Sequence, residues 1–166
     1  MLQLLLLFVT MSTQTTLGVG DQIPLFKLPD ENGEVLSIEK FLGQNPLVIY
    51  FYPKDDTPGC TVEACTFRDN FEVFEELGAK VIGISSDTPQ SHSKFKKRYN
   101  LPFVLLSDTD KSVQREFGIK KNFLGLIDGR VTFVADKHGV IKHVFSSQLR
   151  PKKHIDEAIR VIKRLK

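Results

Sequence analysis

Three runs of apolar residues set the frame of the chain. Leu47-Val48-Ile49-Tyr50-Phe51-Tyr52 is continuous, β-branched and aromatic, which predicts a strand covered on both faces. Val81-Ile82-Gly83-Ile84-Ser85 and Pro102-Phe103-Val104-Leu105-Leu106 predict a second and a third. Between the first two, Phe67, Phe71, Phe74 and Leu77 recur at spacings of four, three and three. That period places them on one buried stripe of a helix from Thr61 to Leu77, stopped by Gly78 at its C′ position. Asp87-Thr88-Pro89 opens another helix, running to about Tyr99, and Ser107-Asp108 leads into a short one ending near Phe117-Gly118.

Weaker patterns flank this frame. Pro24 to Pro29 alternates like a short edge strand, Asp30-Glu31-Asn32-Gly33 is a turn signal, and Val35 to Ile38 completes an N-terminal β-hairpin. Arg130 to Ala135 and Val140 to Val144, joined at Asp136-Lys137-His138-Gly139, read as a second hairpin. Pro151 starts a last amphipathic helix with Ile155, Ala158, Ile159, Ile162 and Leu165 on one face. Strand–helix alternation, then a hairpin and a helix, predicts an α/β fold: a central mixed sheet flanked by helices on both sides.

Length and composition change this picture little. The 166 residues suit one domain with a core of its own, and 41% hydrophobic with 26% charged residues argue against wholesale disorder. Residues 1–18 read as an extension outside a domain spanning 19–166. Its apolar stretch, Leu2 to Val9, is too short to span a bilayer, which takes about 20 residues. It has no Lys or Arg before it and no clear small-x-small cleavage site; it reads as a targeting remnant whose destination the sequence leaves open. The net charge of +3 gathers in Lys94 to Arg98 and Arg150 to Lys166, which read as solvated helix faces. No nucleic-acid recognition motif accompanies them, and neither a nucleic-acid nor a membrane partner is expected.

The chemistry gathers where the first buried strand ends. Both cysteines, Cys60 and Cys65, follow Pro53-Lys54-Asp55-Asp56-Thr57-Pro58-Gly59. Two cysteines are too few for a secreted disulfide scaffold. A helix beginning near Cys60 sets the sulfur against unpaired backbone N–H groups and the positive end of the helix dipole, which suit a negatively charged nucleophile. Thr57 places a hydroxyl three residues before Cys60, able to accept from an incoming O–H and to donate to the sulfur. The N–H groups of Gly59 and Cys60 are candidates to bind a developing anion, and Pro53 and Pro58 stiffen the loop. Glu63 reads as a structural first-turn carboxylate favoured by the dipole. The histidines, His92, His138, His143 and His154, read as surface residues. Their spacing to the cysteines does not suit a structural zinc site.

Pro53-x-x-x-Thr57-x-x-Cys60 resembles the active-site signature of peroxiredoxins. Tyr52 to Thr61 with Glu63-Ala64-Cys65 is similar to the peroxiredoxin Q branch, also called bacterioferritin comigratory proteins. Val19-Gly20-Asp21, Leu28-Pro29-Asp30, Gly129 to Val134 and Lys153 to Glu157 extend the likeness over roughly Val19 to Lys166. The resemblance implies a thioredoxin-like fold and a peroxidase acting on hydrogen peroxide and organic hydroperoxides without metal, haem, flavin or other cofactor. It makes Cys60 the thiol that becomes a sulfenic acid and Thr57 the hydroxyl that orients the peroxide. Cys65 becomes the resolving thiol and Arg130 the guanidinium beside the sulfur. It also implies re-reduction by thioredoxin or a similar dithiol donor. Substrate contacts are expected from Pro53, Thr57, Gly59 and Arg130.

A disulfide between Cys60 and Cys65 carries a structural consequence. Five residues of intact helix rise about 7.5 Å and turn the side chains about 140° apart. Disulfides need Cα atoms within about 7 Å, so the pair cannot bond unless the first turns unwind.

Two rivals keep the fold and change the function. A thioredoxin-like disulfide reductase would carry Cys-x-x-Cys, whereas four residues separate these cysteines. A non-enzymatic redox sensor or chaperone-like binding module would keep the thiol without turnover. The branch resemblance favours a monomer, with a dimer as the alternative, and a cytoplasmic or plastid-like location.

Overall fold

The computed structural model describes residues 15–166. The apolar run Leu2 to Val9 lies outside the described residues. The chain is docked before Val19: Leu17 N–H donates to the Phe117 carbonyl at 3.1 Å, and Thr16 Oγ1 to that of Gly118 at 2.7 Å.

Five strands form the main sheet: β3 (Leu47–Phe51), β4 (Lys80–Ser85), β5 (Val104–Ser107), β6 (Val131–Ala135) and β7 (Ile141–Ser146), in the order β5-β4-β3-β6-β7. The first three are parallel, as strand–helix crossovers require, while β6 runs antiparallel to β3 and hairpins into β7. β1 (Lys27–Pro29) and β2 (Val35–Ser37) make the separate N-terminal hairpin. Every residue of β3 is buried, the outcome its unbroken apolar run predicts.

Alternation along β3 divides the core in two. Val48, Tyr50 and Tyr52 face a cluster containing Phe67 and Phe74, Phe95 from α3 (Pro89–Tyr99), and Ala158 and Ile162 from α5 (Pro151–Ile162). Leu47, Ile49 and Phe51 face the other side, where Phe26, Ile38, Phe117 and Phe133 pack. The first face is the helical one. On the second, the cover is the small hairpin, a 3-10 turn over Ile38–Phe41 and the short α4 (Ser112–Glu116), a thinner layer than two-sided helical cover.

The helix expected over Thr61 to Leu77 is two helices, α1 (Pro58–Asp69) and α2 (Phe71–Glu76). Asn70 breaks it: its backbone N–H and its Nδ2 both donate to the Thr66 carbonyl, at 3.2 and 2.9 Å, closing α1 with a side chain. The stripe survives the break, with Phe67 and Phe74 buried and Phe71 and Leu77 packed at its edge. Gly78 follows at φ +70, the left-handed conformation expected of a C′ glycine.

One packing detail is testable. Gly83 pairs in register with Tyr50 and Leu105, and a Cβ there would meet Tyr50 Oη at 2.7 Å and Leu105 Cδ2 at 2.8 Å. The Tyr50 hydroxyl is itself buried without a hydrogen-bond partner among the described residues. Gly83→Ala should destabilise the fold by about 1–3 kcal/mol in urea denaturation. Tyr50→Phe should be neutral or stabilising and should recover part of that loss in the double variant; strictly additive losses would contradict the packing described.

Candidate active site

Helix α1 starts at Pro58, whose missing N–H costs nothing at a first helical position. Thr57 is its N-cap residue, and Thr61 N–H, on the Thr57 carbonyl at 2.9 Å, makes the first intrahelical bond. Gly59 and Cys60 precede that bond, so their N–H groups belong to the unpaired helix start. The helix thus begins two residues before Cys60. Cys60 sits within the first turn and is only 1% exposed, while Cys65 is half-buried; both are free thiols.

The loop feeding this helix is tied down from below. Asp55 is buried, and its carboxylate accepts from Tyr52 Oη at 2.7 Å and Ser91 Oγ at 2.7 Å and meets His92 Nδ1 at 2.9 Å. Its backbone N–H donates to Asp87 Oδ2 at 2.9 Å. Asp56 then takes a left-handed φ of 57, turning the chain into Thr57. Asp55, Asp87 and His92 bring potential metal-ligand atoms within 4.8 Å of one another, but each is engaged in these hydrogen bonds. His92 is fully buried here, correcting the expectation of a surface residue; His138 is exposed as expected.

Arg130 enters from the opposite side, just before β6, and is 3% exposed. Its guanidinium is used on three edges. Nη2 lies 3.4 Å from Cys60 Sγ, Nη1 donates to Glu63 Oε2, and Nε donates to the Gln148 carbonyl at 3.4 Å. Gln148 also takes the Arg130 backbone N–H on Oε1 at 3.1 Å, which fixes the chain as well as the side chain. A Cβ on Gly59 would lie 3.0 Å from Arg130 Nη2, so a glycine lets the guanidinium approach the helix start. Burial opposes the positive charge, but Glu63 and Cys60 outweigh it and hold Arg130 above its ordinary pKa.

Glu63 differs most from its sequence reading. It lies in the second turn rather than the first, is 0% exposed, and faces the core. Burial pushes its carboxyl up to about 8 against the opposing pull of Arg130. His154, expected at the surface, is buried beside it, and burial followed by Arg130's charge lowers it to about 4. His154 is therefore neutral near pH 7: Nε2–H donates to the Ser147 carbonyl at 2.9 Å and Nδ1 accepts from Thr132 Oγ1 at 2.8 Å. Its 3.6 Å approach to Glu63 Oε1 is accordingly not an ion pair.

Thr57 and Pro53 stand in the loop at the same helix start, both half-buried. The Thr57 hydroxyl donates to the Lys54 carbonyl at 2.9 Å and not to the sulfur, which corrects one of its two expected bonds and leaves its oxygen as an acceptor. Cys60, Gly59 and Arg130 are brought together directly. Glu63 and Gln148 complete the setting, and neither was singled out as functional from sequence, because the contacts join them across 67 and 18 residues.

A buried thiol at a helix start under a fixed guanidinium, on a mixed five-stranded sheet, is the layout of a thiol-based redox protein. The AhpC/TSA family profile matches residues 19–144. Peroxiredoxin Q, chloroplastic, of Populus jackii is 47% identical over 146 residues, covering 88% of this chain and 68% of its own length. Among solved structures, peroxidoxin BcpB of Mycobacterium tuberculosis superposes with a TM-score of 0.83 at 36% identity, covering 90% of this chain and 98% of that one. The Xanthomonas campestris bacterioferritin comigratory protein, in a study of its alkyl peroxide reduction activity, gives 0.77 at 31% identity, covering 87% and 98%. The chain belongs to the AhpC/TSA family, in its peroxiredoxin Q branch, and is a peroxiredoxin, a thiol peroxidase of thioredoxin-like fold.

The Glu63 environment gives a pH prediction. Its folded pKa, about 8, lies above the ordinary 4.5, so the folded state holds the extra proton and the stabilising contribution is full below 4.5. That contribution is lost as pH rises from 4.5 towards 8. Glu63→Gln should flatten the fall in stability across this window in urea titrations at several pH values. An unchanged slope would mean that Glu63 does not carry it.

Proposed function

We propose that Cys60 is the peroxidatic thiol, Cys65 the resolving thiol, and thioredoxin or a similar dithiol protein the electron donor. The observation that carries the reading is the 3.4 Å approach of Arg130 Nη2 to a buried sulfur at a helix start. The Cys60 thiolate attacks the terminal hydroxyl oxygen of a hydroperoxide; an S–O bond forms as the O–O bond breaks. The sulfur is oxidised to sulfenic acid, and the departing alkoxide or hydroxide takes a proton from water. Arg130 sets positive charge where the attacking sulfur and the stretched O–O bond share negative charge. The Thr57 oxygen accepts the peroxide O–H, the N–H groups of Gly59 and Cys60 complete the oxygen-binding end, and Pro53 closes the wall.

Cys65 then attacks the sulfenic sulfur as its thiolate, the hydroxyl leaves with a proton as water, and the Cys60–Cys65 disulfide forms. Both residues lie within α1, five positions apart, so the helix start must unwind for this step. Unwinding also withdraws Glu63 from Arg130 and opens the disulfide to a dithiol, which reduces it by exchange and is itself oxidised. The proposed catalytic domain is 19–166, acting on hydrogen peroxide and organic hydroperoxides as a monomer, with a dimer as the alternative. The chloroplastic relatives support a plastid-like location.

Arg130→Ala should lower the second-order rate of Cys60 oxidation by about 10²–10³ with the fold retained, measured by stopped-flow competition. A loss of less than about threefold would sink its assigned role. Amide exchange over residues 58–68 should rise on oxidation of the wild type and not of Cys65→Ser. Equal protection in reduced and oxidised wild type would contradict an unwinding resolution step.

A further inference from the structure

Next to the site, the bend from Asn122 to Ile127 points apolar side chains outward. Leu124 is 102% exposed and Leu126 83%, with Phe123 also exposed. The bend is closed by Asn122 N–H on the Ile127 carbonyl at 2.7 Å and the reverse bond at 3.2 Å. Phe123 and Leu124 are both held at left-handed φ, 51 and 58, conformations that branched and aromatic residues seldom adopt. A strained bend whose tip is apolar and uncovered is a sign of a surface built to meet something.

Its position links it to the thiol. Asn122 Nδ2 donates to Gln148 Oε1 at 3.0 Å, the same oxygen that takes the Arg130 backbone N–H. Leu149, the next residue, is 81% exposed and lines a shallow groove with Val62 of α1 and Pro151 of α5. Val62 is two residues from Cys60, so the groove reaches the helix turns that must open for the disulfide to form. The rim is cationic: Lys120 and Lys121 precede the bend, and Arg150, Lys152 and Lys153 border the groove against a single lining carboxylate, Asp156.

We infer that this surface is where the dithiol reductant docks, and that its partner is a protein whose face around the dithiol is apolar and ringed by acidic side chains. The inference rests on the peroxidase reading proposed for Cys60. Opposite charge on the two faces guides encounter and sets register, while the Leu124, Leu126 and Leu149 side chains supply the buried contact. A small hydroperoxide needs no such area, whereas a protein disulfide exchange partner does.

The test compares turnover of hydrogen peroxide driven by thioredoxin, with its reductase and NADPH, against turnover driven by dithiothreitol. Two variants are used, Lys121→Glu/Lys152→Glu and Leu126→Ser/Leu149→Ser, alongside the unchanged protein. The inference expects kcat/KM for thioredoxin to fall about tenfold or more in each, with dithiothreitol turnover unaltered. The thioredoxin rate of the unchanged protein should also weaken as salt rises, and less so in the charge variant. Equal losses with both reductants, or no loss with thioredoxin, overturn the inference. So does a wild type that thioredoxin does not reduce. Sedimentation of the unchanged protein with anionic phospholipid vesicles, abolished by the variants while thioredoxin rates hold, would assign the surface to lipid. A dimer in analytical ultracentrifugation that the variants disperse would assign it to a second copy. Absence of turnover with dithiothreitol in the unchanged protein would instead defeat the peroxidase reading beneath it.

Discussion

The site depends on one buried guanidinium. Arg130 is surrounded by low-dielectric core, where an unpaired cation is costly, so each of its edges has to be met. Glu63 meets one edge, the Gln148 carbonyl a second, and the third faces the Cys60 sulfur. This arrangement fixes direction as much as charge. A planar fork held on two sides has little freedom left on the third, and a lysine in its place would lose that constraint. The surrounding fold supplies the partners: α1 brings the sulfur and Glu63, the chain before β6 brings the arginine, and the segment leading to α5 brings Gln148.

The same arrangement links chemistry to motion. Cys60, Glu63 and Cys65 lie on one short helix, so any unwinding that frees Cys60 also separates Glu63 from Arg130. The closed helix keeps the hydrogen bond from Arg130 to buried Glu63, which an opened state loses. In the resolution step proposed for Cys60 and Cys65, oxidation would supply the covalent bond that holds the opposite state. Beneath the helix, the Asp55, Tyr52, Ser91 and His92 contacts anchor the loop through β3 and α3. The opening is thus expected to stop at the helix and not spread to the sheet.

Much of the fold was legible because its signals are local. The buried run at Leu47–Phe51, the turn at Asp136–Gly139 and the proline starts of α3 and α5 each follow from a few adjacent residues. The merged helix was misread because Asn70 closes α1 with a side-chain bond that periodicity does not report. At the site, Thr57, Gly59 and Cys60 were visible through spacing alone. Arg130 lies 70 residues from the sulfur it faces, and only resemblance singled it out among the arginines. Glu63, His92 and His154 were read as surface or merely structural because burial is set by what packs against a residue from elsewhere in the chain. A feature that pointed the right way was the Glu63 position, one helical turn after Cys60, on the face that Cys60 shares with Ala64 and Phe67.

On the function proposed for Cys60, Glu63 and Arg130 act on the sulfur as one unit. A double-mutant cycle on the second-order rate of Cys60 oxidation by hydrogen peroxide, using Glu63→Gln, Arg130→Ala and both together, tests it most directly. If Glu63 works through Arg130, the double variant should be about as slow as Arg130→Ala alone. Independent losses that multiply in the double variant would show the two residues acting separately, and the account of the site would fail.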